Sequence, residues 1–272
     1  MKKKVYGIVG HPVKHSLSPV MHNAAFKSEG IDAEYKVFDI DPSNEENLAN
    51  FCYETELNNI AGFSVTMPYK LEIMKYMDNY DPISKIVGSV NTVENADSVL
   101  NGYNTDVTGA VQALKEKSDI KGKKVLVLGA GGAARAICYG LNEYGADVYV
   151  FNRTKGKADE LAKEFNIETI DFRQIPEADF DIVINTTPVG MSPNSNESLL
   201  HADQLKGVKV VMDIITNPIK TQLLKEAEKA GAETITGARM LLHQACGQFE
   251  IWFGKSAPIE VMEKALYENL KT

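Results

Sequence analysis

The chain has 272 residues, 44% hydrophobic and 24% charged, enough for one large or two ordinary domains with full cores. Its formal net charge of -8 argues against a general nucleic-acid or anionic-membrane binder, so an anionic ligand has to be held by local groups. No uninterrupted apolar stretch is long enough to span a bilayer, and His11, Pro12, Lys14 and His15 end the first apolar run too early for a signal peptide. A cytoplasmic protein is expected. Cys52, Cys138 and Cys246 are isolated and odd in number, and they read as buried free thiols.

In chain order, KVYGIVG (4–10) reads as a strand and SPVMHNAAFKSEG (18–30) as a helix ended by Gly30. A strand over 34–40, a helix over 44–56 and a strand over 61–66 follow. Leu71, Met74 and Met77 recur at helical spacing. Lys70 would then stand in the first turn of a helix, where a cation opposes the helix dipole. Asp106 precedes Val107, Val111 and Leu114, again at helical spacing, and reads as an N-cap. The polar stretch SDIKGK (118–123) belongs to a domain break placed near 104–122. Beyond it, KVLVLG (124–129) is a continuous apolar strand, as in a parallel sheet buried on both faces. A helix from about 132, a strand over 147–151, a helix near 155–165 and strands over 181–187 and 208–214 complete the series. After Gly237 the chain reads as helical, and Ile259, Met262, Leu266 and Leu270 make one apolar stripe. Such alternation predicts an α/β protein of two domains with mostly parallel sheets covered on both sides.

VLVLGAGGAARA places Gly129, Gly131 and Ala134 as G-x-G-x-x-A, between a strand and a helix. Glycines at these points allow a tight turn and close approach of backbone to a pyrophosphate, whose charge rests on the helix N-terminus. The next strand ends in FNRTKGK, without the acid that usually binds the ribose hydroxyls of NAD. Arg153 offers a planar fork to a phosphate and Thr154 a hydroxyl, so NADP is the expected cofactor.

In HSLSPVMH, Ser18 and Pro19 read as N-cap and first helical residue, with Ser16 two residues earlier. Two hydroxyls beside a helix N-terminus suit a carboxylate or phosphate. Pro12 and Pro19 keep His11, His15 and His22 off a common helical face, so no metal site is expected. SVNTV (89–93) and LNGYNTD (100–106) add polar groups in apolar surroundings.

Taken together, GHPVKHSLSPVMHNAAF, VTMPYK, GSVNT, GYNTD, GAGGAARA, NRT, INTTPVGM and GARMLLHQA resemble the shikimate dehydrogenase family, over nearly the whole chain. The resemblance implies NADPH-dependent, reversible reduction of 3-dehydroshikimate to shikimate. It implies a substrate domain (1–104 plus 238–272), an NADP-binding Rossmann domain (105–237) and an active site in the cleft between them. Ser16 and Ser18 would hold the substrate carboxylate. Thr66, Lys70, Asn91, Asp106 and Gln244 would surround the ring hydroxyls. Gly129, Ala130, Gly131, Gly132 and Ala133 would cradle the pyrophosphate. Asn152, Arg153, Thr154, Lys155, Gly156 and Lys157 would hold the adenosine phosphate, with Ile214 and Gly237 near the nicotinamide. Lys70 and Asp106 would be catalytic, since reduction of a ketone needs a proton on oxygen as well as a hydride on carbon. Two positions depart from the family's pattern: Ser64 replaces the usual Asn before VT, and Thr216 replaces a usual Tyr that helps bind substrate. Thr216 keeps open a quinate/shikimate dehydrogenase that also uses NAD. A non-catalytic NADPH-binding regulator is the rival of another class. Partners are expected to be small molecules only, and the chain a monomer or homodimer.

Overall fold

The first apolar run forms β1 (Lys4–Gly10), buried along nearly all its length. It lies inside a sheet, with β2 (Ala33–Asp39) parallel on one side and β3 (Ile60–Val65) parallel on the other. In this computed structural model, residues 3–44, 46–55 and 57–270 are described. The chain divides into two units: 3–105 together with Gln244–Leu270, and Asp106–His243. These divisions fall one and six residues beyond the expected boundaries. Residues 1–2 and 271–272 of the expected first domain lie outside the described residues, as do Glu45 and Glu56 of the expected helix over 44–56.

In the first unit, α1 (Ser18–Ser28) connects β1 to β2, and α2 (Glu46–Tyr53) connects β2 to β3. Then come a 3-10 turn at Glu72–Tyr76, β4 (Asn79–Tyr80), α3 (Pro82–Val87), β5 (Thr92–Ala96) and β6 (Val99–Tyr103). The sheet order is β2-β1-β3-β5-β6-β4, with β5 antiparallel to both β3 and β6 and β4 parallel to β6. Phe63, Val65, Tyr69, Ile73, Val90 and Val93 belong to one core cluster.

The stretch predicted as a helix from Leu71 is the 3-10 turn alone. Leu71, Met74 and Met77 are spaced by three, which is the period of a 3-10 helix. Glu72, not Lys70, occupies the first turn; Lys70 lies just before it. The dipole argument for Lys70 therefore falls away. Asp81 caps α3, its carboxylate accepting the Ser84 N–H at 2.8 Å.

In the second unit, α4 (Asp106–Lys115), β7 (Lys124–Leu128), α5 (Gly132–Glu143), β8 (Asp147–Phe151), α6 (Lys155–Phe165) and β9 (Glu168–Thr169) follow one another. After them come β10 (Ile182–Asn185), β11 (Val210–Asp213), α7 (Gln222–Lys229) and β12 (Glu233–Ile235). The sheet, β12-β11-β10-β7-β8-β9, is parallel throughout. Counted within the unit this is the doubly wound order 3-2-1-4-5-6, whose ligand crevice lies at the carboxyl ends of the strands, where the order reverses. β7 and β10 flank that point.

Gly237–Phe253 forms α8 and Ile259–Asn269 forms α9, which packs on α1. Met262 and Leu266 of the predicted apolar stripe are fully buried, whereas Ile259 is exposed. Trp252 is core, its Nε1–H donating to the Val93 carbonyl at 3.0 Å. All three cysteines are free and buried. No helix among the described residues is long and apolar enough to cross a membrane.

Candidate active site

β3 ends at Val65, and the polar residues of the first unit gather around that end. Thr66 follows directly, its N–H donating to the Val9 carbonyl at 2.9 Å. Lys70 is half-buried, and its carbonyl accepts the Val90 N–H at 2.9 Å. Next to Val90, Asn91 is bound to β3 through its carbonyl, which accepts the Val65 N–H at 2.7 Å. The Asn91 Oδ1 accepts the Thr105 N–H at 2.8 Å and the Thr92 hydroxyl at 2.8 Å. The buried Asn91 amide thereby fixes the residue before Asp106. Asp106 opens α4 as its first helical residue rather than as a cap, buried and in the second unit.

Ser18 also differs from its prediction. It is the first helical residue; Leu17 is the N-cap and makes no side-chain cap. Ser16 Oγ instead accepts the Ser18 N–H at 3.2 Å. Ser18 is buried, near enough to the Tyr35 phenol to oppose slightly the rise that burial gives its pKa. Tyr35 leads on to Ser64, and Ser64 to Gln248, whose amide N–H donates to Gln244 Oε1 at 2.7 Å. Thr66, Lys70, Asn91, Ser18 and Gln244 are thus all in the first unit, linked through β3 and its neighbours.

His22 belongs to the same buried region. Its ring stacks on Tyr35, centroids 4.5 Å apart, and Nε2 meets Gln248 Oε1 at 3.2 Å. Nδ1 is buried with no hydrogen-bond partner. Burial lowers its pKa from 6.5 to about 4, against a smaller raising effect of the Gln248 bond. Between those values the unfolded chain binds a proton that the folded chain refuses. The stability that neutral His22 confers is complete above pH 6.5 and is lost as pH falls to about 4. At about 1.4 kcal/mol per pH unit, this group alone removes about 3 kcal/mol over that interval. We expect His22→Phe to flatten the acid limb of unfolding free energy against pH by that amount, as measured by urea denaturation. An unchanged limb would refute the assignment.

In the second unit, the glycine turn follows β7. Gly129 has φ +115, and a Cβ there would lie 2.4 Å from Thr186 Oγ1, so the turn itself requires glycine. Gly131 differs: a Cβ built on it meets nothing within 4 Å. The fold does not need glycine at that place, but close approach of a ligand to the backbone would. Gly131 is the N-cap of α5 and no side chain caps the helix. A pyrophosphate fits that combination of open space and uncapped N–H groups. Ala130 and Ala133 flank it, both half-buried.

Past β8, Asn152 Nδ2 donates to the Thr154 carbonyl at 2.9 Å, shaping the loop. Arg153, Thr154, Lys155, Gly156 and Lys157 are all exposed. Thr154 is the N-cap of α6 but does not cap it with its side chain, and the first turn carries no acid. Three cations at the positive end of a helix are unfavourable by themselves; a bound phosphate reverses the sign of that interaction.

Ile214 and Gly237 are brought together. A Cβ on Gly237 would lie 2.5 Å from the Ile214 carbonyl, so only glycine lets α8 start there. The loop from Ile214 is anchored by the buried Asp213. Its Oδ2 accepts the Thr221 hydroxyl at 2.7 Å, and its Oδ1 accepts the Asn185 amide and the Ile215 N–H, each at 3.1 Å. Burial raises the Asp213 pKa, and these three donors oppose the rise. Thr216 is half-buried in this loop. Asp213, Asn185, Tyr35 and Gln248 were not singled out in the sequence. The available signal for Gln248 was a polar residue four positions after Gln244 on an apolar helix.

The all-parallel 3-2-1-4-5-6 sheet with its glycine turn, in a chain that also carries a second α/β unit, defines a two-unit Rossmann-type dinucleotide-binding protein. Residues 8–93 match the profile described as the shikimate dehydrogenase substrate binding domain, 111–228 that of shikimate / quinate 5-dehydrogenase, and 237–267 that of the shikimate 5'-dehydrogenase C-terminal domain. The shikimate dehydrogenase (NADP(+)) of Methanobrevibacter smithii is 44% identical, over 98% of this chain and 97% of its own length. A crystal structure of a shikimate dehydrogenase in complex with NADP+ superposes with a TM-score of 0.94 at 42% identity, covering 100% of this chain and 97% of that one. The shikimate 5-dehydrogenase of Thermus thermophilus, in complex with NADP(H) and shikimate, gives 0.91 at 33% identity, covering 98% and 100%. The chain belongs to the shikimate dehydrogenase family.

Proposed function

We propose that this chain reduces 3-dehydroshikimate to shikimate with NADPH, reversibly, in aromatic amino acid biosynthesis. The observation that carries the reading is the chain's family membership over nearly its full length, with Lys70 and Asp106 both retained. The cofactor, when bound, supplies the hydride that reaches the ring carbonyl carbon. Lys70 gives the proton to the carbonyl oxygen in reduction and takes it from the alcohol in oxidation. Asp106 orients the lysine and the reacting hydroxyl. Ser16 and Ser18 bind the carboxylate, while Thr66, Asn91, Gln244 and Thr216 complete the substrate's surroundings. The residues from Gly129 to Ala133 receive the pyrophosphate, and Ile214 and Gly237 border the nicotinamide. This reading includes a cytoplasmic location, small-molecule ligands alone, a monomer or homodimer, and domains of 1–104 plus 238–272 and 105–237.

The exposed cations at the start of α6 support NADP over NAD. Arg153→Ala should raise KM for NADP about 10–100-fold, the value of a charge-assisted hydrogen bond of about 1.5–3 kcal/mol. KM for NAD should stay within about twofold, because only NADP carries the extra phosphate. Steady-state kinetics with both cofactors checks this; equal losses would refute the phosphate role.

NADPH formation on mixing the protein, NADP and shikimate tests the function. Tight NADP binding without turnover would instead favour a non-catalytic regulator. Thr216 favours one further reading, a dehydrogenase that also accepts quinate and NAD. Comparing shikimate and quinate, each with both cofactors, separates the two.

A further inference from the structure

Three buried polar side chains of the first unit have no part in the reaction as described. Tyr35 on β2, Ser64 on β3 and Gln248 on α8 are 4%, 3% and 1% exposed. They touch end to end. The Tyr35 hydroxyl lies 2.5 Å from Ser64 Oγ, Ser64 Oγ donates to Gln248 Oε1 at 2.9 Å, and Gln248 Nε2 donates to Gln244 Oε1 at 2.7 Å.

Proton counting gives the chain a direction. Ser64 has one hydroxyl proton, and it points to Gln248. Tyr35 must therefore donate to Ser64. The reverse direction is conceivable: a flipped Gln248 amide would donate to Ser64 and His22 and accept from Gln244. Two observations oppose it. The Asn91 carbonyl, which can only accept, lies 3.5 Å from Gln248 Nε2 and would face an oxygen after the flip. The flip would also move the His22 proton to Nδ1, which is buried and has no hydrogen-bond partner; a buried donor without an acceptor is costly. With the amide held, Gln248 Oε1 receives two donors, Ser64 Oγ and His22 Nε2. Gln244 Oε1 is then committed inward, and the Gln244 amide nitrogen is turned the other way.

We propose that Tyr35, Ser64 and Gln248 are positioning residues that fix the polarity of Gln244, so that it offers the substrate a donor and not an acceptor. This rests on the reading that Gln244 meets the substrate. The preferred ligand group is then an oxygen with a lone pair directed at Gln244, such as a ring hydroxyl that donates its own proton elsewhere.

Gln248→Met, close in volume and without hydrogen bonds, should raise KM for shikimate about tenfold, the size of one misdirected hydrogen bond. kcat and KM for NADP should stay within about twofold. Tyr35→Phe should have a smaller effect in the same direction. Added to Gln248→Met it should raise KM no further, because the chain is already broken below it. Should Gln248→Met not fold, Ser64→Ala interrupts the same chain with the loss of one hydroxyl. Gln244→Ala separates the two ideas. If it leaves KM for shikimate unchanged, the substrate role of Gln244 fails. If it raises KM while Gln248→Met and Ser64→Ala only lower the melting temperature, the polarity proposal is overturned and the chain is merely structural. Additive effects of Tyr35→Phe and Gln248→Met on KM would also overturn it.

Discussion

Replacing Lys70 with alanine should lower kcat by roughly 10²–10⁴, the usual share of general acid–base catalysis, with little change in KM for shikimate. On the proposed mechanism the reaction needs the exchangeable proton of Lys70 and not its charge. Lys70→Arg separates these, because a guanidinium keeps the charge and does not release a proton in proteins. Both variants should lose kcat to a similar degree. Lys70 is half-buried and sits in a turn whose backbone bond to Val90 does not depend on its side chain. Thermal stability should therefore hold, which makes the kinetic loss interpretable. Steady-state rates with saturating NADP and varied shikimate are the measurement, and near-normal kcat in either variant would remove Lys70 from proton transfer.

Gly131→Val should weaken NADP binding about 100-fold or more while leaving the fold intact. An affinity loss of that size corresponds to about 3 kcal/mol. Apart from its chain neighbours, nothing lies within 4 Å of a Cβ at Gly131, so a side chain there starts in open space, on the side proposed for the pyrophosphate. Gly129→Ala should behave in the opposite way. Its φ of +115 and the 2.4 Å approach to Thr186 Oγ1 make any side chain a strain on the turn itself. The melting temperature should fall before affinity can be read. Calorimetric titration with NADP, paired with thermal melts of both variants, tests the contrast; Gly131→Val binding NADP normally would refute the role of that space.

The dinucleotide unit was legible because its signals are local. An apolar strand, a glycine turn and a helix follow one another within Lys124–Glu143, and β8 matches its prediction at both ends. The β5–β6 hairpin was not legible. Its turn has positive φ at both Asp97 and Ser98, a geometry usually announced by Asn-Gly or Asp-Gly, and neither residue is glycine. The segments beside it, rich in Asn and Thr, were read as polar groups rather than strands. For the site, motif residues could be named from the sequence, whereas the partners of Gln244 could not. Gln248 Oε1 receives Ser64 from 184 positions earlier and His22 from 226 positions earlier. No spacing rule reaches across such distances; only the folded sheet brings those groups into contact. Lys70 shows the opposite case, a residue singled out on a local argument that the 3-10 turn removes.

The cysteines carry a practical consequence. Burial pushes the thiols of Cys52 and Cys138 up to about 12, and Cys246 is enclosed near the Met262 thioether. Alkylating reagents act on exposed thiolates, so the native protein offers them almost nothing. A single cysteine introduced on the surface of each unit could therefore carry a fluorophore pair against a silent background, with all three natural thiols left in place.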